Sequence, residues 1–479
     1  MSNSKKYVIA VDLGAESGRV MRVGFDGQHI TFENTHQFPN IPVEVRGTIY
    51  WDILRLWHEV RSGIDSFAPG ASSVGIDTWG VDFGLLDRDG NLLANPVHYR
   101  DKRIVGMDKW VTERVPMREI YERTGIQYLS VNTIFQLASL VASRSPVLEN
   151  AARLLTMPDL FHYWLSGTAV GEFTMATTTQ CYNPRTCDWD WETLRALGVP
   201  THIFPEVVQP GTRLGEYNGL AVIAPASHDT NSAVVAVPAT REDFAYLSSG
   251  TWSLLGVEAT EPIINDRAFA ANYTNEGGAY GTFCFLKNVM GLWLAQECRR
   301  TWQNQGTHYT WDELVAQAAQ AEPFRSLVDP DDPLFLPMGD MPARIREFCQ
   351  RTGQPLPETV GQMMRTVYES LAFKYRLVFD TLQELTGRTL SRLHIVGGGT
   401  KNKLLCQMAA DALGVPVYAG PVEATALGNA VVQLIALGEL DNIGQARELL
   451  SRSVDVVEYL PRETAVWEDQ LPRYKALVS

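Results

Sequence analysis

The chain has no long hydrophobic run, no clustered cysteines and no Lys/Arg run longer than two residues, and each absence narrows what it can be. No apolar segment approaches the ~20 residues that a transmembrane helix needs. The start, MSNSKKYVIAVDLG, passes from a short polar segment straight into a strand-like run, without the apolar region and small-residue cleavage site of a secretion signal. Cys181, Cys187, Cys284, Cys298, Cys349 and Cys406 are scattered, with no C-x-x-C pair and no histidine cluster. That excludes a disulfide framework and a zinc site, and the expected setting is a reducing cytoplasm. A net charge of −14 without a Lys/Arg run argues against a nucleic-acid groove or an anionic membrane as partner. Small molecules are the expected partners.

What is present is a globular composition, 45% apolar and 20% charged, in 479 residues. That length exceeds one ordinary core and points to two domains. The stretch that organises the chain is AVDLGAESGRVMRVGF, residues 10–25. An apolar run ends in Asp12, a turn carries Gly14 and Gly18, and a second strand-like run follows. Such a hairpin can aim several backbone N–H groups into one small concavity that suits a phosphate. Asp12 could hold a magnesium ion through water, while Ser17 and Arg19 would add a hydroxyl and a fixed positive charge. An ordinary β-turn with an Asp beside it fits the same residues.

The order of elements adds context. QHITFE reads as a third antiparallel strand, and Ile53, Trp57, Val60 and Ile64 mark a helix. SVGIDTWGVDFGLLD then gives two short strands meeting near Gly80. Three meandering strands, a helix and another strand is the order of a ribonuclease-H-like α/β domain. Residues 146–219 show no clear period and read as loops and insertions around a cleft, apart from a short helix ending at Gly167. FAYLSSGTWSLLGVE, residues 244–258, echoes the opening, with Gly250 on Gly14 and Ser253 on Ser17. A phosphate hairpin repeated half a chain apart points to two related domains, 1–240 and 241–479, facing one cleft. A helix over 367–386 stops at Gly387, and strands and helices then alternate to the end of the chain.

Three further patterns carry chemistry. LHIVGGGTKN lacks the G-x-G-x-x-G spacing of a dinucleotide fold, but Gly397, Gly398 and Gly399 allow close backbone approach of a flat or anionic ligand. A tight strand-to-helix turn is the alternative. In SHDTNSAVV, Asp229 sits just ahead of a helix, where it would serve as N-cap. The same position favours the ionised carboxylate that a general base needs. His228 and Thr230 lie beside it as polar ligands. Trp79, Gly80 and Asp82 in GIDTWGVDF would suit a sugar, with core packing as the alternative for Trp79. KNVMGLWLAQE offers Asn288 and Gln296, or simply an amphipathic helix.

VDLGAESGR, GIDTWGVDF, SHDT, YLSSGTWSLLG, LKNVMGLWL, HIVGGGTKN and GPVEATALGN together resemble the FGGY carbohydrate kinases, in the right order over nearly the whole chain. The resemblance implies two ribonuclease-H-like domains of the actin/hexokinase ATPase type and an ATP- and Mg²⁺-dependent ketose kinase. It implies that Ala15, Glu16, Ser17, Gly18, Arg19, Thr251, Gln296 and Gly398 contact ATP. Gly80, His228, Asp229, Thr230 and Asn288 would contact the sugar, with Asp229 as base. Glu16 departs from the family pattern, where a small hydroxyl residue stands, so its backbone alone is expected to contribute. The expected substrate is L-rhamnulose, phosphorylated at the C1 hydroxyl, with L-fuculose or L-xylulose as alternatives and a non-catalytic ATP-binding sugar-sensing regulator as the rival class.

Overall fold

The computed structural model describes residues 5–478. In chain order, β1 (Lys6–Leu13), β2 (Ser17–Phe25) and β3 (Ile30–Pro39) form the opening meander, followed by α1 (Ile53–Phe67) and β4 (Ser73–Thr78). β5 (Phe83–Leu86), β6 (Arg153–Thr156), α2 (Phe173–Thr178), β7 (Arg213–Tyr217), β8 (Leu220–Ile223) and α3 (Asp229–Val235) come next. The later elements are β9 (Phe244–Ser249), β10 (Trp252–Ala259), β11 (Thr274–Gly277), β12 (Phe283–Met290), α4 (Trp293–Asn304) and α5 (Val360–Thr386). β13 (Arg392–Val396), α6 (Lys403–Leu413), β14 (Val417–Ala419), α7 (Ala424–Ala436), β15 (Val457–Tyr459) and α8 (Thr464–Leu477) complete the set used below.

Two sheets dominate, in the strand orders β7-β8-β4-β1-β2-β3 and β11-β12-β10-β9-β13-β14-β15. The first strand of each plan, β1 or β9, pairs antiparallel with the strand after it and parallel with one that follows a helix, β4 or β13. That is the ribonuclease-H-like plan twice over. By contact the chain divides into two compact units. The first contains residues 1–240, 258–286 and 423–454; the second contains 241–257, 287–422 and 455–479. The units are therefore built from interleaved segments, and α7 belongs to the first.

Local sequence explains the helices that frame the sites. Asp52 caps α1 through the Arg55 N–H, and Ile53, Leu56, Val60 and Ile64 turn its apolar face inward. α5 begins seven residues ahead of the expected Val367, because Thr359 and Gln362 form a capping box; it ends on left-handed Gly387 as expected. Buried along much of its length, α5 forms the spine of the second unit. Within residues 146–219 the helix Met157–Ser166 ends at Gly167 as expected. The rest is not loop alone: it contributes α2 and short strands around a core that includes Leu154, Phe173, Tyr182, Trp189 and Leu194. The elements are too short to print a period, and α2 is buried although it is rich in threonine.

The helix α7 is joined to the first sheet by amides rather than by apolar contact alone. Gln433 Nε2 donates to the Ile9 carbonyl at 3.0 Å and its Oε1 accepts from Ser73 Oγ at 2.7 Å. Asn429 Nδ2 donates to the Gly75 carbonyl at 3.2 Å and to Asp77 Oδ2 at 2.6 Å. On its other side Gly428 meets α3, where an added Cβ would overlap the Ser232 carbonyl oxygen. Gly428→Ala is therefore expected to destabilise the protein by about 1–3 kcal/mol and to lower the melting temperature; an unchanged melting temperature would contradict this helix contact.

Candidate functional site

In the first unit, strand register builds the site. Pairing of β1 with β4 sets Asp12 beside Asp77 and Leu13 beside Thr78. Beyond the strand ends, the Trp79 N–H bonds to the Leu13 carbonyl at 3.1 Å and the Thr78 N–H to the Ser227 carbonyl at 2.9 Å. The ends of two strands and the entry to α3 thus share one corner, which gathers Asp12, Asp77, Gly80, His228, Asp229 and Thr230. Asp77 was not singled out from the sequence; only the register shows that it lies beside Asp12.

Burial pushes the Asp12 and Asp77 carboxyls above the ordinary carboxylate range, and the neighbouring Asp12 raises Asp77 further. On Asp12 the Arg19 guanidinium works in the opposite sense, 3.6 Å away. Asp77 Oδ2 accepts from Asn429, while its Oδ1 is buried without a partner. No group of three or more His, Cys, Asp or Glu side chains among the described residues could hold a metal. An orphaned carboxylate oxygen beside a second carboxylate does fit magnesium, which is commonly held by one or two carboxylates together with water and substrate phosphate.

The loop between β1 and β2 is a tight turn, closed by the Gly14 N–H on the Ser17 carbonyl at 2.9 Å. Asn40 braces it, its backbone N–H on the Glu16 carbonyl and its Nδ2 on that of Gly14, both at 2.9 Å. Ala15 and Ser17 are half-buried, Glu16 is exposed and Gly18 is buried. Gly18 has to be small, since a Cβ would overlap the Phe38 ring. Arg19 lies opposite Asp12 and pairs with Glu423 at 2.9 Å, at the N-terminus of α7.

At the entry to α3 the N-cap position is taken by His228, and Asp229 is the first helical residue, one place later than a capping role requires. Asp229 Oδ1 accepts from the Thr230 N–H at 2.6 Å and lies 3.4 Å from His228 Nε2. Burial raises the Asp229 pKa, with His228 and the Thr230 N–H opposing it. Gly80 sits against the His228 ring: a Cβ there would lie 3.3 Å from Nε2 and 3.4 Å from Thr178 Oγ1. The next residue, Val81, has φ +68, a conformation that costs a β-branched residue about 1–3 kcal/mol. Its carbonyl is held there by Thr133 Oγ1 at 2.6 Å and Gln136 Nε2 at 3.2 Å.

Trp79 and Asp82 do not offer the sugar-binding face expected of them. Both are buried, and Asp82 accepts from the indoles of Trp51 and Trp79 at 2.6 and 3.0 Å and from Gln136 at 2.9 Å. Burial pushes its carboxyl to about 6, against those three donors. The pair fastens the strand end instead, so the core alternative holds for Trp79.

Thr251, Asn288, Gln296 and Gly398 lie in the second unit. Thr251 is at the tip of the β9–β10 hairpin, and its carbonyl accepts from the Gly291 and Trp293 N–H groups, both at 3.1 Å. This hairpin is one residue shorter than the first: Ser249 pairs with Ser253, where Leu13 pairs with Gly18. Ser253 therefore matches Gly18 rather than Ser17, and its hydroxyl is buried against Tyr375 at 2.7 Å. Asn288 is half-buried on β12. Gln296 lies on α4 with Oε1 buried and without a partner.

The three glycines divide between two roles. Gly397 takes φ +86 beside the Ser249 carbonyl, and a Cβ on Gly399 would overlap Ser249 Oγ. Both serve the packing of β13 on β9. Gly398 alone is exposed with open space around it.

A model of the FGGY family of carbohydrate kinases, N-terminal domain, matches residues 7–224, and its C-terminal domain model matches 245–437. A rhamnulokinase of Bacteroides thetaiotaomicron is 44% identical over 487 residues, covering 99% of this chain and 100% of that protein. The chain belongs to the FGGY family of carbohydrate kinases. A second relative, a rhamnulokinase of Pectobacterium carotovorum, is 42% identical over 98% of this chain and 96% of its own length. Among solved structures, a ligand-bound xylulose kinase from Lactobacillus acidophilus superposes with a TM-score of 0.81 at 18% identity, covering 98% of this chain and 97% of that one. Plasmodium falciparum glycerol kinase with ADP gives 0.76 at 16%, covering 99% and 98%. The family's actin/hexokinase-type fold is thus the fold of this chain, and the chain is an ATP-dependent carbohydrate kinase.

Gly399→Ala and Gly398→Val separate packing from open surface. Thermal denaturation is expected to show a lowered melting temperature for the first variant and an unchanged one for the second; equal losses would contradict the different roles given to these glycines.

Proposed function

We propose that this kinase transfers the γ-phosphoryl group of ATP to the C1 hydroxyl of L-rhamnulose, giving L-rhamnulose 1-phosphate and ADP. The observation that carries the substrate is likeness over nearly the whole chain, at 42–44% identity, to relatives named rhamnulokinase. The rival reading as a non-catalytic regulator is not favoured by those relatives.

Asp229 acts as general base. Its carboxylate is the accessible member of its cluster, with 30% of the side chain exposed against 9% for His228. Ionised Asp229 takes the proton of the C1 hydroxyl. A lone pair of that oxygen forms the new O–P bond as the bond from the γ-phosphorus to the bridging oxygen breaks, and the electron pair leaves with ADP. Most of the acceleration comes from holding the groups in line and neutralising charge.

Ala15, Glu16, Ser17, Gly18 and Arg19 are assigned to phosphate, Glu16 through its backbone. Thr251 and Gln296 are assigned to ATP, and Gly398 to its adenosine. Gly80, His228, Thr230 and Asn288 are assigned to the sugar hydroxyls. Magnesium would be held by Asp12 with Asp77, where it would draw negative charge from the phosphates. The orphaned Asp77 Oδ1 supports that assignment.

No helix among the described residues is long and apolar enough to cross a membrane. The six cysteines are free thiols, five of them buried. With a net charge of −14, these features support a cytoplasmic enzyme of small molecules, without nucleic-acid or membrane partners.

The test is ADP release measured over L-rhamnulose, L-fuculose and L-xylulose, with NMR of the product. L-Rhamnulose is expected to give the highest kcat/KM and a phosphate on C1. Activity on the other ketoses should be measurable, because apolar contacts discriminate by only about 1–3 kcal/mol per group. A higher kcat/KM for another ketose, or phosphate on another carbon, would overturn the substrate assignment. Asp229→Asn is expected to lower kcat by about 10²–10⁴-fold in a folded protein. Because burial raises the Asp229 pKa, wild-type activity should fall on the acid side at a higher pH than an ordinary carboxylate gives. Near-wild-type turnover in the variant would remove Asp229 from the mechanism.

A further inference from the structure

Behind Asp229 the structure holds a chain of buried groups that no motif announces. Glu276 lies on β11, in a stretch reading TNEG, 48 residues from His228 along the sequence. Its Oε2 is 3.1 Å from His228 Nδ1, and His228 Nε2 is 3.4 Å from Asp229 Oδ1. Side-chain exposure falls from 30% at Asp229 to 9% at His228 and 6% at Glu276. The reacting carboxylate reaches solvent, and its support stands behind it.

We propose that Glu276 is a positioning residue for phosphoryl transfer, holding the His228 ring by Nδ1 so that the Nε2 edge is presented to Asp229. The proposal rests on the reading of Asp229 as base. A neutral imidazole has one N–H and could donate to only one of the two carboxylates; with both nitrogens protonated it donates to both. Asn231 lies against the same edge, Nδ2 3.0 Å from His228 Nδ1 and 3.5 Å from Glu276 Oε2. As the amide stands, Asn231 Oδ1 is buried without a partner. A half-turn of the amide exchanges its two ends, so that Oδ1 can accept from a protonated Nδ1.

The charges that face His228 are carboxylates from three elements. Glu276 comes from β11, Asp229 from α3, and Glu172 from the N-terminus of α2, where it also accepts from the Ser227 N–H at 3.1 Å. Burial favours the neutral ring, but these carboxylates outweigh it and raise the His228 pKa. The resulting imidazolium favours the ionised form of Asp229, the form that can take a proton. A buried Glu276 without this partner would leave an uncompensated charge.

The experiment is a pH titration of ¹⁵N-histidine-labelled protein, with the His228 ring assigned by His228→Gln. In the unaltered chain the ring is expected to carry protons on both nitrogens at neutral pH and to titrate above ordinary histidine. In Glu276→Gln its midpoint is expected to fall by about 1–3 pH units. The acid limb of kcat should move to higher pH and kcat should drop, while the KM for ATP stays unchanged. A neutral His228 at pH 7 in the unaltered chain, or a ring titration that Glu276→Gln leaves in place, would overturn the proposal. The unaltered chain supplies the first readout whether or not the variant folds. Failure of the base reading would show instead as turnover retained in Asp229→Asn, and the ring titration would not register it.

Discussion

Because β1 and β4 pair in parallel with Leu13 opposite Thr78, both strands end at the same level, and everything that follows either strand begins there. The hairpin loop leaves β1, the Gly80–Val81 turn leaves β4, and the Thr78–Ser227 hydrogen bond brings the start of α3 to the same place. A slip of one residue would send Asp12 and Asp77 to opposite faces of the sheet, since side chains alternate along a strand. The register is secured from one side by α7, whose Asn429 and Gln433 bond to backbone carbonyls of both strands and to Ser73 and Asp77.

That corner concentrates buried charge, which is expensive unless paired. Arg19 stands between Asp12 and Glu423, and His228 between Asp229 and Glu276. Asp77 is the exception, paired with an amide and left with one oxygen unsatisfied. Cations, fixed or bound, are what this arrangement calls for. The second sheet repeats the plan with a shorter hairpin and no acidic pair at β9 and β13, where Ser248 faces Val396. Its glycine turn is correspondingly spent on packing, apart from the open Gly398.

Much of this was legible in the sequence because it is local. The opening hairpin, a helix beside Asp229, the echo at 244–258 and the final alternation of strands and helices all follow from turn residues and periodicity. What was not legible depends on contacts between distant segments. Asp77 could be read as a strand residue, but its pairing with Asp12 exists only in the register. Glu276 sits in a strand of four residues with no pattern around it. The helix after Glu423 reads as C-terminal, yet it packs in the first unit because its amides fit the first sheet. Residues 146–219 looked irregular because short elements with buried threonines carry no period. Trp79 and Asp82 had the composition of a sugar site; the structure spends them on each other and on Trp51.

The most direct measurement of the central claim is a crystal structure of the chain with L-rhamnulose, Mg²⁺ and a non-hydrolysable ATP analogue. The expected result is the C1 hydroxyl oxygen within hydrogen-bond distance of the Asp229 carboxylate, with His228 still between Asp229 and Glu276. A C1 hydroxyl turned away from Asp229, with another hydroxyl of the sugar or none in its place, would contradict the assignment of Asp229 as the base for transfer to C1.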